Sequence, residues 1–150
     1  MKIMVLNGPN LNMLGIREPE KYGTESYSAL EEKIENFFEE KGVEGVVLQS
    51  NSEGEMIDFI HHAFGNYDGI VINPGAYTHY SYAIYDALKS VALPAVEVHI
   101  TNIHQRDEFR RKSVTAPACI GQISGFGFLG YEYAIDYLLK HLKEAKNNEA

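Results

Sequence analysis

The chain has 150 residues, 45% of them apolar, which is enough for one domain with a real core. Its formal net charge is −8 with both signs mixed, which excludes non-specific attraction to nucleic acid or to an acidic membrane but not an anionic substrate, since one local group of arginines and N–H donors suffices. Cys119 is the only cysteine, so no disulfide closes within the chain and a reducing, cytoplasmic location is expected.

Met1 leads directly into Lys2-Ile3-Met4-Val5-Leu6, without the charged and apolar regions of a signal peptide. No apolar run approaches the roughly 20 residues of a membrane span. No repeat, linker or compositional shift divides residues 1–150, so a single domain is expected, with a frayed tail from about residue 143. The first strand is predicted at Lys2 to Asn7. A long loop follows, about residues 9–25, rich in Gly, Pro and Asn and without periodicity. A helix starts near Ser26 or Ser28, where Ser28-Ala29-Leu30-Glu31 fits a capping box. Leu30, Ile34, Phe37 and Phe38 mark its buried face and Gly42 ends it. Val46 to Gln49 reads as the second strand. Ser52-Glu53-Gly54-Glu55 opens a second helix with Ile57, Ile60 and Phe64 inward and Gly65 as its terminator. Gly69 to Asn73 is the third strand, and a helix from about Tyr80 to Val91 buries Ile84, Ala87 and Leu88. Pro94 to Val98 and Cys119 to Ile123 are the remaining strands. The last helix buries Ala134, Ile135, Leu138, Leu139 and Leu142. Strands alternating with helices of this length predict an α/β fold: a five-stranded parallel sheet, doubly wound and flavodoxin-like, in three αβα layers.

Such folds bind ligands beyond the carboxyl ends of their strands. Here those ends run into Asn7-Gly8-Pro9-Asn10-Leu11-Asn12, Asn73-Pro74-Gly75-Ala76-Tyr77-Thr78-His79 and His99-Ile100-Thr101-Asn102-Ile103-His104. Taken singly, Asn-Gly and Asn-Pro-Gly are turn chemistry; three coincident strand ends point to a site. The loop through Arg17 and Tyr22 is long for a compact domain, as active-site lids are, although a tyrosine there also serves as a loop anchor and an arginine as a surface charge. Arg106 and Arg110 are four apart and share a face if their segment is helical, either as a solvated face or interface ion pair or as an anion or hydroxyl clamp. Adjacent His61 and His62, the wide spacing of His99 and His104, and the lack of paired cysteines leave no metal motif. Gly125-Phe126-Gly127-Phe128-Leu129-Gly130 matches a dinucleotide pattern but follows the last strand instead of the first, so a structural role at the start of the last helix is preferred.

Together these segments resemble type II 3-dehydroquinases. The likeness runs through Asn7 to Asn12, Leu14 to Pro19, Tyr22-Gly23, Gln49 to Gly54, Asn73 to His79, Glu97 to Ile103, Arg106 to Arg111 and Gly125 to Gly130, in order, over residues 2–142. One departure is Thr101, where many members carry serine; the hydroxyl is kept. The resemblance implies loss of water from 3-dehydroquinate to give 3-dehydroshikimate, by anti elimination through an enolate, on the shikimate route to aromatic compounds. It implies no metal, no cofactor and no Schiff-base lysine.

It also implies roles. Tyr22, as tyrosinate, would be the base. A free tyrosine is only about 0.1% ionised at pH 7, and lowering its pKa by about 3 units takes about 4 kcal/mol; Arg17 on the same loop matches the family arginine that would supply it. Asn10 would hold a water against the enolate. His99 would be the general acid, with Glu97, on the same strand face, orienting the imidazole and favouring its protonated form. The substrate carboxylate would meet the N–H groups of Ile100 and Thr101 and the Thr101 hydroxyl. Asn73, His79 and Arg110 would hold ring hydroxyls, with Gly75 beside them, and Arg106 would sit on the rim in a lid or interface role. Asp86 would reach a neighbouring subunit's active site in a homo-oligomer of trimers assembled as a dodecamer.

Two other classes share the fold. A flavodoxin-type binding module needs a Ser/Thr-rich phosphate loop after the first strand, where Asn7 to Asn12 stands. A phosphorylated receiver domain needs acidic residues at strand ends held by Asn7 and Asn73. Quinate breakdown would use the same chemistry, and only genomic context separates it from biosynthesis.

Overall fold

A computed structural model of the chain describes residues 1–16 and 25–149. Among these are five strands: β1 (Lys2–Asn7), β2 (Glu44–Gln49), β3 (Gly69–Asn73), β4 (Ala95–His99) and β5 (Gly121–Ser124). Four long helices accompany them: α1 (Tyr27–Lys41), α2 (Glu53–Ala63), α3 (Tyr82–Val91) and α4 (Leu129–Glu149). The sheet is parallel throughout, in the order β2-β1-β3-β4-β5, which is the doubly wound, flavodoxin-like arrangement expected.

Because strand side chains alternate, each strand feeds two cores. On one face Ile3, Val5, Val71, Val96 and Val98 pack against Leu30, Ile34 and Phe38 of α1 and Tyr131, Ile135 and Leu138 of α4. On the other, Met4, Leu6, Ile70, Ile72 and Ala95 meet Met56 and Ile60 of α2 and Ile84, Leu88 and Val91 of α3. Strands buried on both faces need continuous apolar runs, and β3 and β4 have them apart from Asn73, Glu97 and His99. Those buried polar residues mark where the sheet serves chemistry.

The register brings the polar strand ends into line. Asn7 pairs with Gln49 on one side and Asn73 on the other, and His99 pairs with Ser124.

Several boundaries differ from the sequence reading. Ser26, not Ser28, caps α1: its hydroxyl accepts from the Ala29 N–H at 3.1 Å. The earlier start lets Tyr27 pack on the core and bring its hydroxyl to Asn7. Residues 143–149, expected to fray, continue α4, since Lys, Glu and Ala are good helix formers and about two more turns need no new core. The loop after β1 holds a single 3-10 turn, Leu11–Met13, that buries Leu11. α3 begins at Tyr82, two residues later than expected, because the Ser81 hydroxyl caps it by accepting from Ile84. Ser52 caps α2 and left-handed Gly42 closes α1, as expected, whereas Phe64, expected inward, is exposed just past the end of α2.

Candidate active site

The carboxyl ends of β1, β3 and β4 open into a cavity of about 200 Å³. The loop after β1 contributes Asn10 and Leu14, β3 and its loop contribute Asn73, Gly75 and His79, and β4 and the chain beyond it contribute His99, Ile100, Thr101, Arg106 and Arg110. Glu97 stands buried behind His99. Arg106, expected on the rim with a lid or interface role, is part of the wall. Asp86 is exposed on α3 and takes no part in this cavity. Arg17 and Tyr22 lie outside the described residues.

Backbone hydrogen bonds hold the loops in place. The Gly8 N–H donates to the Asn73 carbonyl at 2.7 Å, tying the β1 loop to the end of β3. The Asn10 N–H donates to Asn51 Oδ1 at 2.9 Å, and Gln49 Nε2 donates to the Gly8 carbonyl and Asn51 Oδ1. Asn10 itself is left-handed (φ 70°), a conformation asparagine tolerates better than most residues.

The turn after β4 is fastened from the β5–α4 loop. The carbonyls of His99, Ile100 and Thr101 accept from the Gly125 N–H, the Gly127 N–H and the Ser124 hydroxyl, at 3.1, 3.0 and 3.2 Å. The N–H groups of Ile100 and Thr101, both in the wall, carry no hydrogen bond to the described residues. Two such donors beside a threonine hydroxyl make an anion seat. The Gly-x-Gly-x-x-Gly stretch therefore acts as this fastening and not as a nucleotide loop.

His99 is 6% exposed and its Nε2 lies 2.9 Å from Glu97 Oε2. A carboxylate only accepts, so Nε2 carries the proton and Nδ1 is the free ring nitrogen. Glu97 is fully buried, and Oε2 also accepts from Ser113 Oγ and Gln122 Nε2, each at 2.8 Å, while Oε1 accepts from the Thr115 hydroxyl. Burial alone would push this carboxyl up; the hydrogen bond and charge of His99, with those from Thr115 and Gln122, outweigh it and hold the group below the usual carboxylate range.

His79 Nδ1 is 2.7 Å from the Lys112 carbonyl, so Nδ1 carries the proton and Nε2 is left as an acceptor. Burial lowers the His79 pKa; the Lys112 carbonyl opposes this, and nearby His99, Arg110 and Arg106 add to the lowering. His79 is therefore neutral at pH 7. Asn73 is gripped at both ends of its amide: Nδ2 donates to the Tyr131 hydroxyl at 2.9 Å and Oδ1 accepts from the Gly75 N–H at 3.1 Å. One amide hydrogen and one lone pair remain for a ligand. The Tyr131 hydroxyl in turn donates to Asn7 Oδ1 at 2.6 Å. Burial raises the Tyr131 pKa and carries that of Tyr27 up to about 12, so both are neutral hydrogen-bonding struts and not bases.

Ser113, Thr115, Gln122 and Tyr131 were not read from the sequence as site residues. One signal for Gln122 was present: a buried strand carboxylate needs donors, and the neighbouring strand must present one opposite it. Among the described residues no cluster of His, Cys, Asp or Glu is arranged to hold a metal ion, and no helix is long and apolar enough to cross a membrane.

The chain is similar to known proteins over most of its length. The family model for class II dehydroquinase matches residues 1–139. The 3-dehydroquinate dehydratase of Clostridium perfringens strain SM101 is 64% identical over 144 residues, covering 95% of this chain and 99% of its own. That of Carboxydothermus hydrogenoformans is 55% identical over 150 residues, 100% of this chain and 97% of its own. Among solved structures, the type II dehydroquinase of Butyrivibrio crossotus superposes with a TM-score of 0.91 at 57% identity, over 92% of this chain and 97% of its own. The type II dehydroquinase of Propionibacterium acnes does so with a TM-score of 0.88 at 44% identity, over 91% and 94%.

Proposed function

The chain belongs to the class II dehydroquinase family, and on that premise we propose that it removes water from 3-dehydroquinate to give 3-dehydroshikimate, a hydro-lyase step on the shikimate route to aromatic compounds. The observation that carries this reading is the His99–Glu97 pair facing a cavity that also offers paired N–H donors, two arginines and a second histidine.

In this reading Tyr22, held as tyrosinate by the Arg17 guanidinium, takes a proton from the carbon beside the ketone. Electron density moves onto the ketone oxygen, where a water held by Asn10 stabilises the enolate. His99 then gives a proton from Nδ1 to the leaving hydroxyl, and the enolate collapses to the enone. One C–H and one C–O bond break, one C=C bond forms and one water leaves. The Glu97 carboxylate keeps Nε2–H engaged, so that Nδ1 faces the substrate. The substrate carboxylate sits on the Ile100 and Thr101 N–H groups and the Thr101 hydroxyl, with Arg106 adding charge. Asn73, His79 Nε2 and Arg110 take the ring hydroxyls, while the Gly75 backbone completes that wall. Asp86, exposed and remote from its own cavity, serves a neighbouring subunit in an assembly of trimers forming a dodecamer.

The test is an ultraviolet assay of enone formation from 3-dehydroquinate, with Tyr22→Phe, His99→Ala and Arg17→Lys alongside. Wild-type turnover is expected, with kcat falling by about 10²–10⁴-fold in Tyr22→Phe and His99→Ala. Arg17→Lys should fall sharply as well, because lysine lacks the planar fork. An inactive wild type in its native assembly would remove the reading; an active Tyr22→Phe would remove tyrosinate as the base.

A further inference from the structure

We propose that Ser113, Thr115 and Gln122 are positioning residues: their donors hold the Glu97 carboxylate as an anion in one orientation and, through it, hold the His99 ring with Nδ1 toward the substrate. This rests on the dehydration reading above and extends it to residues that touch no substrate.

The geometry is a matter of counting hydrogens. Oε2 of Glu97 receives His99 Nε2–H, the Ser113 hydroxyl and Gln122 Nε2–H, and Oε1 receives the Thr115 hydroxyl. The Ser113 oxygen already accepts from the Ala116 N–H at 2.9 Å, so its own proton is free to turn to Glu97. Thr78 Oγ1 lies 2.8 Å from both Ser113 Oγ and Thr115 Oγ1, whose protons already point at Glu97, so Thr78 donates to one of them. With Glu97 as an anion, each hydrogen of this network has an acceptor. A proton on Oε2 would be set against the donors of His99, Ser113 and Gln122.

The donors reach Glu97 from separate parts of the chain. Gln122 is its register partner on β5. Ser113 and Thr115 lie on the segment between Arg111 and β5, which also supplies the Lys112 carbonyl to His79 and the Val114 N–H to the Thr78 carbonyl at 2.7 Å. One strap therefore sets the orientation of both cavity histidines. The titratable groups near Glu97 are His99 on its own strand and Cys119 ahead of β5; α3, which packs beside the strap, buries only apolar side chains. Burial and the Glu97 charge push the Cys119 thiol up to about 12, so it stays neutral.

The test compares Thr115→Val, which keeps the shape and removes the donor, with Thr115→Ser, which keeps the donor, and adds Gln122→Met on the exposed edge strand. Each is read by kcat and KM against pH and by the carbon-13 shift of the Glu97 carboxyl, assigned against Glu97→Gln. Thr115→Val and Gln122→Met are expected to lower kcat by about tenfold with KM changed by about twofold or less. In both, the Glu97 carboxyl should titrate at higher pH than in the wild type, and nitrogen-15 spectra should show the hydrogen bond from His99 Nε2–H weakened. Thr115→Ser should recover most of both signals. An unmoved Glu97 titration in Thr115→Val and Gln122→Met, or equal loss in Thr115→Val and Thr115→Ser, would overturn the proposal. The carboxyl titration needs no turnover: an inactive wild type whose Glu97 titration moves as expected would overturn the dehydration reading while supporting the cage.

Discussion

Glu97 is wholly buried, and a buried anion is tolerated only when fully hydrogen-bonded. Four donors meet that demand, and they make the carboxylate costly to replace. Glu97→Gln keeps the shape but sets an amide N–H₂ against His99, Ser113 and Gln122 on one side or Thr115 on the other. We expect a loss of about 3 kcal/mol in urea unfolding at pH 7, the range for breaking one side of a buried charged pair. The sign with pH follows from linkage. The folded-state pKa of Glu97 lies below its ordinary 4.5. Its contribution is thus complete above about 4.5 and is lost as pH falls through the lower folded value. The stability gap between wild type and Glu97→Gln should therefore be constant from pH 7 to 5 and narrow in stronger acid. A gap that widens in acid would show that Glu97 is not the stabilised anion described here.

At the scale of elements, the turn after β4 depends on the loop between β5 and α4. Gly125 has φ 94°, and a Cβ placed there would lie 3.0 Å from Asn102 Cβ. Gly125→Ala thus combines backbone strain of about 1–2 kcal/mol with a push on the turn that carries the Ile100 and Thr101 N–H groups. We expect KM for 3-dehydroquinate to rise about tenfold with a smaller change in kcat, the pattern of lost substrate binding. An unchanged KM would place the carboxylate elsewhere. The four helices and five strands were legible because each is long enough to show its apolar period or run. Ser26 and Ser28 could not be separated as caps, because both precede the same apolar positions. The 3-10 turns at Leu11–Met13 and Ile103–Gln105 left no signal, since one turn has no period to read. The cavity wall was legible from strand ends alone at Asn10, Asn73 and His99. Ser113 and Thr115 were not, because a donor that meets Glu97 from 16 or 18 residues away leaves no local pattern.

At the scale of the molecule, the chain carries −8 overall, yet its cavity wall carries Arg106 and Arg110. Acidic surface and cationic cavity suit a small anion drawn to one seat, with nucleic acid repelled from the rest. Asp86 belongs to neither group: it lies exposed on α3, on the same helix whose apolar face packs the second core. The role proposed for that carboxylate would lie across a boundary between subunits. In the symmetric assembly proposed, each subunit would give the same residue to the next, so sites would be shared head to tail. This can be read by mixing two inactive variants. Asp86→Ala keeps its own His99 but deprives its neighbour; His99→Ala loses its own acid but still gives Asp86. Each is expected to be inactive as a homo-oligomer. After co-expression at equal levels, about a quarter of the sites combine an intact His99 with a neighbour's intact Asp86, so activity should return to about a quarter of wild type. Recovery of that order assigns Asp86 to the neighbour's reaction. A mixture no more active than its two parents would confine Asp86 to its own subunit and remove shared sites from the account of catalysis.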